Sequence, residues 1–310
     1  MIHRSYVVQS SILSELNTNK FSSNTFDLLK YMNRGYPNVT VTSLPMSGVY
    51  ARYLFSFDDT KSALEVIDNE TEFKDYTYYA ENLKAIIYRS IGIQDSSFHY
   101  AKQAYLNMPG NANHYEQYIR SLLSQKDSLS IVSSLNNVSY KSDVQFAHVF
   151  MSACLSLNFN NDSVKYYSKE FKKLYSDNEE ASLMADYLVY GQKNIQISFE
   201  IAKQAQSFFE NENYIKAEEL FNYAIELNPV DYSNFENLGY TYFKIGRYND
   251  AIEMFKKVID EFSPKTGKSE YLLALSYESI GDNKSACKLL YEAQKLNFKL
   301  AFSESLRLCK

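Results

Sequence analysis

The chain has 310 residues, of which 45% are hydrophobic, nine are glycine and five are proline. This length exceeds a single ordinary core and predicts two domains or an elongated repeat array. The small number of turn-forming residues favours helices joined by short links and excludes a β-sandwich or barrel, which needs many glycine turns. A net charge of −5 is mild and gives no indication of a nucleic-acid partner.

The N-terminal part predicts one or two helices, followed by the stretch RGYPNVTVTSLP. This stretch alternates like a short strand, but we interpret it as an extended connector. No apolar run near Met1 is long enough for a signal peptide. The most apolar segment, VQFAHVFMSACLSLNF, is broken by polar residues and too short to span a bilayer. We therefore expect a soluble chain, cytoplasmic by default, which would reach a membrane only through a membrane-protein partner or through spans encoded upstream.

The middle of the chain, residues 44 to about 192, predicts degenerate helical repeats. Small and apolar residues recur there at similar offsets in three segments: Ala51, Leu54, Ala63 and Ile67; Ala85, Tyr88, Ser97, Ala101 and Ala104; Ser152, Leu155, Val164 and Phe171. We interpret these segments as a continuation of the more regular array that follows them.

The C-terminal part repeats itself with a period near 34 residues. Ala217, Ala251 and Ala286 recur 34 and 35 residues apart, each inside a similar pair of predicted helices. Three further sets of residues occupy equivalent positions in the three repeats, on the helix faces that we expect to pack: Ala205, Gly239 and Ala274; Phe221, Phe255 and Leu290; Ala224, Val258 and Ala293. Small residues at two of these positions let paired helices approach closely, and the large ones fill the space beside them.

This pattern resembles the tetratricopeptide repeat family over about residues 198 to 300. The resemblance implies an all-α fold, a right-handed solenoid of helical hairpins with degenerate N-terminal repeats. In the third repeat Phe298 stands where the closing proline is usual, and FKLAFSESLRLCK then forms a C-terminal capping helix. We predict three parts: a helical segment and connector over 1–43, degenerate repeats over 44–192, and three repeats plus the capping helix over 193–310.

The motif Gly267-Lys268-Ser269 raises the alternative of a phosphate-binding loop. Such a loop needs an earlier glycine, where Phe262 stands, and a preceding β-strand, whereas AIEMFKKVIDEF has a helical period. We therefore predict an inter-repeat turn with a solvated Lys268, whose replacement by alanine leaves stability nearly unchanged. No nucleotide and no other cofactor is expected.

Catalytic and metal-binding patterns are not evident in the sequence. His148 and Cys154 are six residues apart on one predicted helix, about 240° around its axis, and do not face each other as a dyad. Three unpatterned cysteines imply neither a disulfide framework nor a zinc site. We expect a protein that is not an enzyme, with no catalytic residues and no metal.

The resemblance also implies a ligand-binding groove, because first helices line the concave face in this family. It maps that face onto Phe199, Gln206, Phe209, Glu236, Tyr240, Phe243 and Tyr271. Aromatic rings there could anchor apolar side chains of a protein or peptide partner; the alternative is that the rings pack between repeats. The basic pairs that grip a C-terminal carboxylate in chaperone-type domains are missing, since Ala202 and Glu236 stand at their positions.

A second, weaker resemblance covers most of the chain. Segments such as SGVYARYLF and TGKSEYLLALSYESIGDNKSAC are similar to the soluble repeat tail of bacterial O-antigen ligase or polymerase-type membrane proteins. The main hypothesis is therefore a non-catalytic scaffold for protein or peptide binding. The alternative is an accessory tail of a membrane protein that assembles glycans.

Overall fold

Helices form nearly all of the part of the chain that the computed structural model describes, which comprises residues 2–32, 40, 44–69, 76–138 and 143–309. No β-strand occurs among these residues, and the predicted all-α repeat fold is confirmed. The chain divides into two compact units, Met1–Leu188 and Val189–Lys310. Most of the predicted connector RGYPNVTVTSLP lies outside the described residues, and the three-part division of the chain stays a prediction.

The first unit consists of helices that pack as successive pairs. In chain order they are α1 (Ile2–Thr18), α2 (Ser23–Met32), α3 (Met46–Ser56), α4 (Thr60–Asp68), α5 (Tyr79–Ser90), α6 (Gln94–Asn107), α7 (Ala112–Gln125), α8 (Ser128–Ser134), α9 (Val144–Ser156), α10 (Asp162–Leu174) and α11 (Glu179–Asp186). Large rings, including those of Tyr105, Tyr115, Phe146, Phe150 and Phe171, are fully buried between these pairs. The predicted packing residues of α3 to α6 are likewise buried, with the exception of Tyr88, which is partly exposed.

A single carboxylate ties α1, α2 and α3 together. Thr25 Oγ1 donates to Glu15 Oε1 at 2.6 Å, Tyr53 OH donates to Oε2 at 2.7 Å, and Ser22 donates through both its N–H and its hydroxyl. Burial raises the pKa of Glu15, but these hydrogen bonds to the ionised form outweigh burial and hold the pKa below its usual value. Glu15 therefore holds the first three helices together.

The predicted register of α9 is wrong by one residue. Ser152 is exposed and Leu155 only partly buried, whereas Met151 and Cys154 are 0% and 1% exposed. The link from α9 to α10 is longer than the equivalent links in the second unit, because extra residues separate the left-handed Asn158 from the start of α10. A prediction that places the packing residues of α9 at the usual distance before those of α10 is therefore displaced by one residue toward the C-terminus.

The second unit repeats one helix pair three times and adds a last helix. Its helices are α12 (Gln192–Glu210), α13 (Tyr214–Leu227), α14 (Tyr232–Lys244), α15 (Tyr248–Lys257), α16 (Lys268–Ser279), α17 (Asn283–Lys295) and α18 (Lys299–Leu308). Five-residue π-helical turns precede α12 at Tyr187–Gly191 and extend α15 at Val258–Phe262. We call α12, α14 and α16 the first helices and α13, α15 and α17 the second helices.

The turn inside each pair contains a residue with a positive φ angle, which is Glu212 in the first pair and glycine in the other two. Gly246 and Gly281 end α14 and α16 with φ angles of 79° and 85°, a region that a residue without Cβ enters at little cost. After Gly281, the N–H of Asp282 donates to the carbonyl of Tyr277 at 2.9 Å. The Asp282 side chain then accepts from the N–H of Ser285 at 3.0 Å and caps α17.

The predicted packing stripes of the second unit are confirmed. All twelve residues named for them are buried, and the three alanines at the start of the second helices are completely so. A Cβ added to Gly239 would lie only 2.9 Å from the ring of Phe255, so the crossing of α14 and α15 has no room for a larger side chain.

We predict that Ala251→Leu destabilises the second unit by about 1–3 kcal/mol, because extra methylene groups at this crossing force strain on neighbouring side chains. Asn249→Leu is the matched control, since position 249 is exposed on the same helix. Thermal denaturation followed by circular dichroism measures both variants. Equal melting temperatures for Ala251→Leu and wild type would contradict the assigned register.

The last helix, α18, covers the apolar end of α16 and α17, as predicted for a cap. Ala274, Leu290 and Ala301 share this buried cluster. A disulfide joins Cys287 of α17 to Cys309, directly after α18, with their Cα atoms 5.5 Å apart. The expectation that the cysteines imply no disulfide is therefore wrong at this pair. The sequence separation of 22 residues carries no pattern, and only the return of α18 along α17 brings the two thiols together.

Candidate functional site

The first helices of the second unit carry every residue predicted to line a groove. We call this surface the first-helix face and define it by Phe199, Gln206, Phe209, Glu236, Tyr240, Phe243 and Tyr271. Phe199 is 54% exposed, and most of the others are partly buried. Glu236 is the exception, with an exposed fraction of 3%. The predicted residues thus lie on three first helices and differ in how much surface they offer to a ligand.

Three of the predicted aromatic rings, those of Phe209, Tyr240 and Phe243, form a row across α12 and α14. The ring centroids of Phe209 and Tyr240 are 5.3 Å apart, and those of Tyr240 and Phe243 are 6.2 Å apart with nearly parallel planes. Tyr271, on α16, packs on Phe298 at 5.1 Å and lies against the same buried cluster as the row. These rings pack on the core and keep part of their surface in solvent. Packing between repeats and an exposed binding surface, the two interpretations drawn from the sequence, therefore each describe part of the arrangement.

Glu236 connects α14 to α16 within the protein. Lys268 Nζ lies 2.8 Å from Glu236 Oε2, and Ser269 Oγ donates to Glu236 Oε1. The expectation of a merely solvated Lys268 is therefore wrong, although its side chain is 46% exposed. Gly267 opens α16 with a φ of 71°, and the predicted inter-repeat turn is confirmed. Because the carboxylate of Glu236 is already bonded on both oxygens, it is poorly placed to contact a ligand.

The other end of α16 is joined to α18 by charges. Arg307 Nη2 lies 2.7 Å from Glu278 Oε2, and Arg307 Nε lies 2.7 Å from Glu304. Burial raises the pKa of Tyr271, and the nearby Glu304 carboxylate raises it further, so this phenol stays protonated and neutral at physiological pH. The charges of Arg307, Glu278 and Glu304 at this end of the face are thus neutralised within the protein.

A second concave surface, which the sequence did not indicate, lies between α7 and α9 in the first unit. It is a cleft of about 330 Å³, lined by Glu116, Ile119, Arg120, Leu123, His148, Val149, Ser152, Ala153 and Ser156. Arg120 pairs with Glu116 at 2.7 Å, and His148 Nε2 lies 3.3 Å from Asn178 Oδ1. The sequence could have indicated this cleft only if the groove positions of the first helices had been carried over to α7 and α9 in the degenerate repeats.

The setting of Cys154 does not activate its thiol. Burial raises the pKa of Cys154 to about 12, which keeps its thiol protonated and unreactive at neutral pH. Across the described ranges, no cluster of three or more histidine, cysteine or acidic side chains is arranged to hold a metal ion. Within those same ranges, no helix combines the length and the apolar character needed to cross a membrane.

Comparison with known proteins agrees with the repeat geometry. The family model described as Tetratricopeptide repeat matches residues 202–264 and again residues 236–297. No curated protein matches the chain. The weak resemblance to the tail of O-antigen ligase-type proteins finds no support in these comparisons.

Several solved structures are similar at low identity. A tetratricopeptide repeat protein from Parabacteroides merdae is 16% identical, with a TM-score of 0.36, over 83% of this chain and 95% of that one. The P58(IPK) TPR domain is 12% identical, with a TM-score of 0.38, over 99% and 98%. The TPR2AB domain of yeast Sti1 in its pHSP90 complex is 14% identical, with a TM-score of 0.34, over 74% and 94%. These TM-scores are low, and we base no argument on the individual likenesses. The family model and the buried stripes together support a tetratricopeptide repeat region over residues 202–297.

Proposed function

We propose that the protein is a non-catalytic scaffold whose first-helix face binds an extended segment of a partner protein. The observation that carries this proposal is the row of partly exposed rings, Phe209, Tyr240 and Phe243, which crosses two successive first helices, with Tyr271 of the next first helix packed against the same buried cluster. Proteins built from such repeats use the extended surface of stacked repeats for binding. Aromatic side chains give large contact area at a low cost in side-chain entropy, which suits them as anchors.

The chemistry of the face favours a partner segment with apolar or aromatic side chains. Two of the charged groups near the row are paired inside the protein, Lys268 with Glu236 and Arg307 with Glu278, and Lys244 Nζ lies 5.8 Å from the ring centroid of Tyr240. A ligand held mainly by ion pairs would have to displace these partners. A grip on a terminal carboxylate is also disfavoured, because the positions that would require lysine hold Ala202 and the buried Glu236. Among these kinds of interaction, apolar contact with the rings is the one that the face favours for a partner segment.

We predict that the double variant Tyr240→Ala/Phe243→Ala binds such a segment about 30-fold more weakly than wild type, which corresponds to the loss of about 2 kcal/mol from a pair of anchors. A library of random peptides displayed on phage is selected on the wild-type chain. The affinity of the best peptide for each variant is then measured by fluorescence anisotropy. Because both rings are partly exposed, we expect the helical signal at room temperature to stay close to that of wild type.

The matched control is Tyr223→Ala/Tyr291→Ala, which removes two rings that are 45% and 49% exposed on the second helices. This control should bind the peptide as wild type does. Equal loss of affinity in the two double variants, or no loss in Tyr240→Ala/Phe243→Ala, would contradict the proposal. In either case the rings of the row would be packing residues, which is the alternative left open by the sequence.

A further inference from the structure

The capping helix α18 continues the first-helix face. Ser305 is a small buried residue at the place that Ala274 takes in α16, and this register aligns Tyr271 with Phe302 and Leu275 with Leu306. Phe302 and Leu306 are 49% and 78% exposed, which are high values for large apolar side chains. Because they are four residues apart, they lie on one face of the helix. The helix that closes the array thus also offers apolar surface at the positions that form the aromatic row.

Apart from the disulfide, α18 is held by small buried side chains, by hydrogen bonds from Gln294 and by the half-exposed ion pair of Arg307 with Glu278, which contributes little. Its buried side chains are those of Ala301 and Ser305, which remove little apolar area from water. Gln294 of α17 donates to the carbonyl of Ala301 at 3.2 Å and also contacts Ser305 Oγ. A helix of 10 residues is marginal in isolation, and α18 packs mainly on α17. Its order therefore depends strongly on the covalent link beside it.

We propose that the disulfide Cys287–Cys309 is a redox switch that controls the order of α18, and with it the last strip of the partner-binding face. The second part of this inference rests on the proposed function. A dithiol reductant would supply two electrons and two protons. The S–S bond breaks, Cys287 and Cys309 become thiols, and the reductant becomes a disulfide. Both cysteines are partly exposed, so a reductant can reach them.

The third cysteine provides an internal contrast. Cys154 is 1% exposed, and its pKa of about 12 keeps it a thiol that alkylating reagents do not reach in the folded chain. Modification of the folded protein therefore reports on Cys287 and Cys309 alone. When α18 opens while the disulfide is intact, about 12 residues stay in a closed loop, whereas after reduction the same residues are no longer held in a loop. By loop-closure entropy, reduction should make this opening on the order of 100-fold more frequent.

Hydrogen exchange of the full chain, oxidised and reduced, tests the switch without any partner. We expect the amides of α18 to exchange on the order of 100-fold faster after reduction. The amides of α12 to α15 should be unchanged, which also shows that the reduced chain remains folded. Cys309→Ser should behave as reduced protein under both conditions, and Cys154→Ser should respond as wild type does. Equal protection of α18 in the two redox states, or free thiols at Cys287 and Cys309 after treatment with an oxidised dithiol, would overturn the proposal.

Binding of the peptide selected on the first-helix face tests the second part. We expect oxidised protein to bind it at least several-fold more tightly than reduced protein, and Phe302→Ser/Leu306→Ser to lose affinity in the oxidised state alone. If α18 opens on reduction but affinity does not change, the switch does not act on the face, and that part of the inference is refuted. Failure of the Tyr240 and Phe243 variant to weaken binding refutes the proposed function instead, and it leaves the exchange result as it is.

Discussion

Replacing Phe255 by alanine is expected to lower the free energy of unfolding of the second unit by about 3–5 kcal/mol. Phe255 is fully buried, and its ring lies against the backbone of α14, where a Cβ at Gly239 would approach it to 2.9 Å. Removing the ring leaves a cavity that the tightly crossed helices cannot close without losing their own contacts. Urea denaturation of the full chain, followed by far-UV circular dichroism, measures the change.

The matched control is Phe199→Ala, because it is the same substitution at a ring that is 54% exposed. We expect its effect on the free energy of unfolding to stay within about 0.5 kcal/mol, as for most surface positions. Similar losses in the two variants would mean that the packing stripes have been assigned to the wrong helix faces. The comparison thus tests the repeat register at a position with no role in binding.

The register of the second unit was predictable because it depends on local requirements. A small residue must stand wherever two helices cross closely, and Ala217, Ala251 and Ala286 meet this requirement at nearly equal spacing. The links between these helices also have nearly constant length, so a count along the sequence stays in phase. In the first unit the longer link before α10 breaks this phase, and the prediction for Ser152 and Leu155 fails.

Contacts between distant residues were not predictable in the same way. Glu236 and Lys268 are 32 residues apart and meet because α14 and α16 are neighbours in the array. Their pairing requires the rotation of each helix to within a fraction of a turn, which a pattern of apolar residues does not specify. The Cys287–Cys309 disulfide depends in the same way on how α18 returns along α17.

The candidate site shows the same limit. The sequence placed Tyr240 and Phe243 on the first-helix face, and the structure brings both rings into one row with Phe209. It also placed Glu236 there, without indicating that the carboxylate is buried and bonded within the protein. Which residues share a helix face follows from periodicity, whereas their exposure depends on the side chains of the next repeat.

Substituting Lys268 by methionine is expected to destabilise the second unit by about 2 kcal/mol, because a buried carboxylate loses its charged partner. The Glu236 side chain is only 4% exposed, and in this variant its one remaining partner is the hydroxyl of Ser269. Methionine keeps the length of the lysine stem, so the packing of the aliphatic part is largely preserved. Urea denaturation measures the change, as for Phe255→Ala.

A double-mutant cycle separates the ion pair from other effects of the substitution. Glu236→Gln keeps an acceptor for Ser269 and leaves Lys268, which is 46% exposed, free to be solvated, so we expect it to cost less than Lys268→Met. The double variant Lys268→Met/Glu236→Gln should be more stable than Lys268→Met alone, because position 236 then carries no buried charge that has lost its partner. This order of stabilities is specific to a buried carboxylate with a half-exposed partner. If Lys268→Met instead unfolds at the same urea concentration as wild type, Lys268 is the solvated turn residue that the sequence suggested, and Glu236 does not need its charge to join α14 to α16.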